Sequence, residues 1–252
     1  MSFTAEWLAL REPVDTAARN ADVLAAFVAD VGPDTSILDL GSGTGSTLRA
    51  VSSYLAQDVQ WTLTDMDATL LQHAGHRHPD ANLLPCDLND LASLPLIPGG
   101  HVTASALFDL CSADYVQRLI ARLDQVGASL YAALNYDGRM EWSVFHPLDA
   151  AVTAAFNLHQ QRDKGFGPAL GPRSAEVLSQ SVPGYRVVSG PSDWVLTADH
   201  EALQTEYLRG IGIAVAETGL VPDIDKWVQA RIAMIPEAEC RVGHMDVLIL
   251  AE

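Results

Sequence analysis

Short apolar runs alternate with stretches of helical period through the first half of the chain. Trp7, Leu8 and Leu10 open an apolar patch that Pro13 is expected to interrupt, and 17–31 reads as an alanine-rich helix stopped by Gly32-Pro33. Residues 35–40 are an apolar strand, and Leu48, Val51 and Leu55 mark one face of the helix that follows. The rhythm repeats with a strand over 59–64 ending at Asp65, a helix over 68–74, and a short strand over 82–86 closed by Asp87. A fourth strand spans 101–107, Val116, Leu119, Ile120 and Leu123 fall at helical spacing, and a fifth strand spans 128–135. This alternation predicts an α/β fold with a doubly wound, mostly parallel sheet and right-handed crossovers.

Beyond residue 136 the rhythm changes. One helix is expected over 148–161, then a glycine- and proline-rich loop over 164–172. Residues 185–196 read as an edge strand broken at Gly190-Pro191. Leu203, Tyr207, Ile211 and Val215, then Ile224, Trp227, Val228 and Ile232, outline two helices, the second stopped by Pro236. A last strand is expected over 246–250. The 252 residues fit one domain in four stretches: an N-terminal helical cap (1–32), a core (33–136), an insertion (137–184) and C-terminal elements completing the sheet (185–252).

Composition narrows the partners. A net charge of −17, with 15 scattered lysines and arginines, argues against nucleic acid. Cys86, Cys111 and Cys240 show neither metal-ligand nor redox spacing, which suits a reducing cytoplasm, and no metal is expected. Neither a secretory leader nor an apolar run of roughly 20 residues is visible, so no membrane association is expected.

The chemistry concentrates in Ile37-Leu38-Asp39-Leu40-Gly41-Ser42-Gly43-Thr44-Gly45. Glycines after a strand let the backbone approach a nucleotide-like ligand closely. A dinucleotide fingerprint would need a third glycine at 46, which is Ser46, and a pyrophosphate would avoid the charge of Asp39. An ammonium and a sulfonium would favour that carboxylate. Asp65, 24 residues after Gly41, can accept hydrogen bonds from both hydroxyls of a ribose, and Asp87 can meet an exocyclic amine on adenine. Both aspartates also fit solvated strand ends or helix caps, and Asp67 reads as the cap of the next helix.

From about 33 to 136 the chain resembles the class I S-adenosylmethionine-dependent methyltransferases. Asp39-Leu40-Gly41-Ser42-Gly43-Thr44-Gly45 matches their first motif, Thr64-Asp65-Met66-Asp67 looks like the second, and Cys86-Asp87-Leu88 like the adenine-contacting third. The resemblance implies a seven-stranded Rossmann-like sheet with an antiparallel last strand, and S-adenosylmethionine as cofactor. It implies that Asp39 with Gly41, Ser42 and Gly43 holds the methionine end, Asp65 the ribose, and Met66, Asp87 and Leu88 the adenine. Arg19, or Arg11, would pair the cofactor carboxylate.

The acceptor is less legible. An Asn/Asp-Pro-Pro-aromatic turn, typical of nucleic-acid amino methylation, is absent after the fourth strand, where Leu107-Phe108-Asp109-Leu110-Cys111 stands. A small-molecule methyl acceptor, methylated on oxygen or nitrogen, is therefore expected. Asp109, Asn135, Tyr136, His146, Asn157, His159 and Lys164 are candidate pocket residues. His146 is the expected general base, with Asp109 as the second catalytic candidate. The polar segment 156–172 is expected to form a lid over the acceptor. A homodimer is an open expectation. The alternatives are a non-catalytic S-adenosylmethionine-binding protein and an NAD(P)-dependent oxidoreductase.

Overall fold

The computed structural model describes residues 3–180 and 184–251. In chain order the strands are β1 (Ser36–Leu40), β2 (Gln60–Asp65), β3 (Asn82–Pro85), β4 (His101–Ser105), β5 (Ser129–Trp142), β6 (Tyr185–Pro191), β7 (Trp194–Leu196) and β8 (Cys240–Ala251). The helices are α1 (Ala5–Ala18), α2 (Ala21–Asp30), α3 (Ser46–Val51), α4 (Ala68–Arg77), α5 (Ala113–Val126), α6 (Asp149–Gln160), α7 (Ser174–Leu178), α8 (Glu201–Ala216) and α9 (Ile224–Met234). The sheet runs β3-β2-β1-β4-β5-β8-β6, with β7 pairing the far part of β8. The first five strands are parallel, and β8 is antiparallel to β5, β6 and β7.

The expected α/β doubly wound sheet is present, and the alternation of side chains along β1 explains how it is covered. Leu38 and Leu40 face a core shared with Leu119 and Leu123 of α5, while Ile37 faces Val23 and Phe27 of α2 and Val51 of α3. Asp39, between them in register with Leu63 and Thr103, therefore points to the α2–α3 side.

Four expectations are corrected. Helix α1 continues through Pro13, supported by the i,i+4 pair Arg11–Asp15 that spans it, and the break falls at Arg19–Asn20. Asn20 starts α2 there because its side chain accepts hydrogen bonds from the Asp22 and Val23 amides. The sheet has eight strands among the described residues instead of seven, because Pro191 ends β6 and β7 resumes pairing at Trp194.

Strands β5 and β8 are also longer than expected, so 137–142 belongs to a strand and not to an insertion. Two register shifts kink the β5–β8 ladder, at Leu134 (φ 57) and around Gly138 (φ 92). The projecting ladder carries a third core cluster, with Trp194 and Val242 packed among Ile211 and Trp227 of α8 and α9.

A buried ion pair fastens that cluster. Arg231 donates to both oxygens of Asp149 and to the Val144 carbonyl, and lies 4.6 Å over the Trp142 ring. Trp227 Nε1 donates to Asp149 Oδ1 at 2.9 Å. Asp149→Ala would leave an uncompensated buried guanidinium, so denaturant unfolding should show a loss of about 3–5 kcal/mol.

Candidate active site

Gly41 and Gly43 adopt φ of 62° and 53°, a left-handed backbone that admits glycine at little cost. A Cβ on Gly43 would stand 3.0 Å from Leu8 Cδ1, so α1 lies directly over the loop. The loop is tied to β2 by two bonds: the Ser42 amide donates to the Thr64 carbonyl at 2.8 Å, and the Gly43 amide to Asp65 Oδ2 at 2.9 Å. Asp65 Oδ1 accepts the Asp67 amide at 2.9 Å, so its carboxylate clasps the loop while each oxygen keeps lone-pair capacity. Asp67 caps α4 through the Thr69 and Leu70 amides, as its position suggested.

Asp39 is fully buried at the tip of β1. Thr103 Oγ1 donates to its Oδ1 at 2.7 Å, whereas Oδ2 has no hydrogen-bond partner among the described residues. Burial pushes its carboxyl up to about 7, against the opposing effects of the Thr103 hydroxyl and Arg19. Arg19 is buried at the α1–α2 corner. It donates to Ser105 Oγ at 2.9 Å and to the Tyr131 hydroxyl at 3.3 Å, and its Nε is unpartnered among the described residues. Ser42 Oγ is likewise buried without a partner. One open anionic atom and one open cationic N–H thus belong to neighbouring groups, which suits the zwitterionic end of an amino acid.

The other expected cofactor residues line the outer edge. Met66 is 78% exposed, Leu88 is buried, and Leu88 and Leu107 flank Gly41. Asp87 is exposed and accepts from the Asn89 amide and from Asn89 Nδ2, which also donates to the Gly165 carbonyl at 3.1 Å.

On the acceptor side, Asp109 follows β4 and is buried with Oδ1 unpartnered among the described residues. Burial pushes its carboxyl up to about 6, opposed by a backbone amide and by Arg11 and Lys164. Tyr136 donates to Asn157 Oδ1 at 2.8 Å. Lys164 Nζ is 3.4 Å from His159 Nδ1, and burial lowers its pKa. The loop bearing Lys164 is fastened to the β4–α5 connection, with Leu170 donating to the Cys111 carbonyl at 2.7 Å and Phe166 edge-on to Tyr115. Asp109 and Lys164 act on one another electrostatically, as do Asp109 and Tyr136.

Two candidates do other work. His159 is buried and pairs with Glu217 at 3.1 Å. His146 lies before α6, its Nδ1 accepting the Leu148 amide at 3.2 Å and its own amide bonded to Asp149. Neither of these bonds reaches Asp109, Tyr136 or Asn157, and His146 stands before the first turn of α6 while Asn157 is in its last turns. Asn135 is buried, its Nδ2 spent on the Ala132 and Met245 carbonyls.

Sequence reasoning missed Thr103, Ser105, Thr47 and Tyr131. The hydroxyls of Thr103 and Ser105, alternating with Val102 and Ala104, were the available signal. A groove of about 590 Å³ between α1 and α8, lined by Trp7, Leu10 and Glu206, lies outside this site; over Gly43 the space is filled by Leu8.

No family profile and no curated protein matches the chain. Solved structures do. A cyclopropane-fatty-acyl-phospholipid synthase-like protein from Lactobacillus casei is 15% identical over 98% of this chain and 94% of its own, with a TM-score of 0.54. An S-adenosylmethionine-dependent methyltransferase from Thiobacillus denitrificans, in complex with S-adenosylhomocysteine, is 16% identical over 100% of both chains, with a TM-score of 0.50. The fold is that of the class I methyltransferases.

Burial of Asp39 has a stability consequence. With a folded pKa near 7 and an ordinary value of 3.8, the folded state holds the extra proton between those limits. The group's contribution to stability therefore declines as pH rises from about 4 to about 7 and stays flat above. Asp39→Asn removes that penalty: unfolding of ligand-free protein at pH 8 should show a gain of order a few kcal/mol, and no gain at pH 4.

Proposed function

We propose that the protein is an S-adenosylmethionine-dependent methyltransferase acting on an oxygen or nitrogen atom of a small molecule. One observation carries the reading: the buried Asp39 Oδ2 and Arg19 Nε, both without a partner among the described residues, lie beside a left-handed glycine loop. The ammonium and carboxylate of a methionine end would satisfy both. The left-handed backbone of Gly41 and Gly43 turns the loop at the tip of β1, and Ser42 Oγ is a further polar contact. Asp65 can take ribose hydroxyls with its remaining lone pairs, while Asp87 receives the adenine amine and Met66 and Leu88 flank the ring.

When bound, the donor supplies a methyl group on a cationic sulfur. The protein's part is alignment, exclusion of water and removal of the acceptor's proton. Leu8 and the 163–170 loop cover the site. Asp109, and not His146, is the base in this reading, because its carboxyl is buried with an open oxygen and a pKa near 6. Lys164 and Arg11 stand near it as cations that favour its ionised form. The acidic surface favours a small acceptor over nucleic acid. A reducing cytoplasm as the setting rests on three free cysteines, two of them buried. No helix among the described residues is long and apolar enough to cross a membrane.

Calorimetric titration with S-adenosylhomocysteine tests the cofactor assignment; no heat and no thermal shift would sink it. Affinity for the donor should fall as pH drops below about 7, approaching tenfold per pH unit, because the ammonium needs ionised Asp39. Once an acceptor is found, kcat should rise with pH through about 6 and then level as Asp109 ionises. Asp109→Asn should cost roughly 10²–10⁴ in kcat. Unchanged turnover in that variant would remove the base.

A further inference from the structure

Two arginines among the described residues are nearly fully buried, and they are treated in opposite ways. Arg231, 2% exposed, is paired directly with Asp149. Arg19, 8% exposed, touches no carboxylate among the described residues and is held only by the hydroxyls of Tyr131 and Ser105. A buried cation without a counter-ion is costly. Its compensation sits one group further away. Tyr131 donates to Asp246 Oδ2 at 3.0 Å, and Asp246 is fully buried near the start of the core half of β8.

Asp246 organises more than the phenol. Its Oδ2 also accepts the Asn20 amide at 3.0 Å, which pins the residue next to Arg19 at the α1–α2 corner. Its Oδ1 accepts the Leu134 amide at 2.8 Å, where a non-glycine residue is held at φ 57. One carboxylate therefore fixes the backbone beside Arg19, the hydroxyl that receives Arg19, and the bulge at the end of β5.

The direction of these bonds matters. The Tyr131 hydroxyl donates to Asp246, so the phenol oxygen turns its lone pairs to Arg19. Ser105 Oγ, accepting from Arg19, also shares a hydrogen bond with Thr47 Oγ1 at 3.0 Å, and Thr47 lies beside Asp39. Both arms orient the guanidinium through neutral groups.

We propose that Asp246 is a positioning residue for the carboxylate end of the methyl donor: through Tyr131 and the Asn20 corner it holds Arg19 at the glycine loop without neutralising it. A direct Asp–Arg pair would fill the guanidinium donors; the interposed phenol leaves Nε open. This inference rests on the methyltransferase reading and adds to it residues on strands β5 and β8, outside the glycine loop.

The test compares two ligands that differ at that end. S-adenosylhomocysteine carries the amino-acid group, whereas 5′-methylthioadenosine keeps the nucleoside and lacks it. Asp246→Asn should weaken S-adenosylhomocysteine by about tenfold, measured by calorimetry, the size expected for a misdirected charge-assisted bond. Binding of 5′-methylthioadenosine should change by less than about twofold, since it makes no such bond. Tyr131→Phe keeps the ring stacked on Phe27 and loses only the hydroxyl; it should show the same split, and it carries the test if the Asp246 variant does not fold. Equal losses for both ligands, or an unchanged affinity for S-adenosylhomocysteine, would overturn the proposal while leaving the function intact. Wild-type protein that binds neither ligand would instead remove the methyltransferase reading, and this inference with it.

Discussion

A carboxylate with nowhere to discharge its charge governs this structure. Asp39 is fully buried, receives the Thr103 hydroxyl, lies beside that of Thr47, and faces a buried guanidinium that makes no ion pair among the described residues. Folding such groups into a low-dielectric interior is unfavourable, and packing elsewhere must offset it. The offset is visible in three hydrophobic clusters that enclose the sheet and the projecting β5–β8 ladder. The site thus keeps an open anionic oxygen and an open guanidinium N–H, the pair that the proposed zwitterionic ligand would complete.

Around that centre, covering elements are held by charge and hydrogen bonds as much as by apolar contact. Helix α1 brings Leu8 onto Gly43 and is clamped to α3 by Glu12, which accepts from Arg49 at 2.5 and 2.7 Å. Arg11, on the same helix, pairs with Asp15 and lies over Trp194, whose indole N–H also reaches Asp15. Nearby His244 is buried and its pKa is lowered to about 4, by burial first and then by Arg11, so it stays neutral at ordinary pH. The cations of the roof are thus paired with carboxylates, and over the glycine loop it is apolar.

Much of the core was legible in the chain because local signals and tertiary demands agree there. The apolar run into Asp39 and the glycines at 41 and 43 each have one comfortable structural outcome, and the parallel strand order follows from it. The second half was harder to read. The expected start of an insertion at 137 failed because Tyr136, Met140 and Trp142 continue a ladder whose partner, Val242 and Cys240, lies a hundred residues away. His146 attracted attention as an imidazole near a helix start, and that position consumed its Nδ1 in capping. The hydroxyl chain from Arg19 to Asp39 was harder to read for another reason: Thr103 and Ser105 alternate along β4, but only the fold brings Thr47 and Tyr131 from other elements into line with them.

One small strut joins the two ends of the cleft. Asn89 Nδ2 is shared between the Asp87 carboxylate and the Gly165 carbonyl, so the end of β3 and the 163–170 loop are tied through one side-chain amide as well as through the Leu170 and Phe166 contacts. A change of length in that loop would drag on Asp87 as well. Side-chain changes in that loop would leave the strut in place, whereas insertions between 163 and 170 would move Gly165 and with it the amide of Asn89.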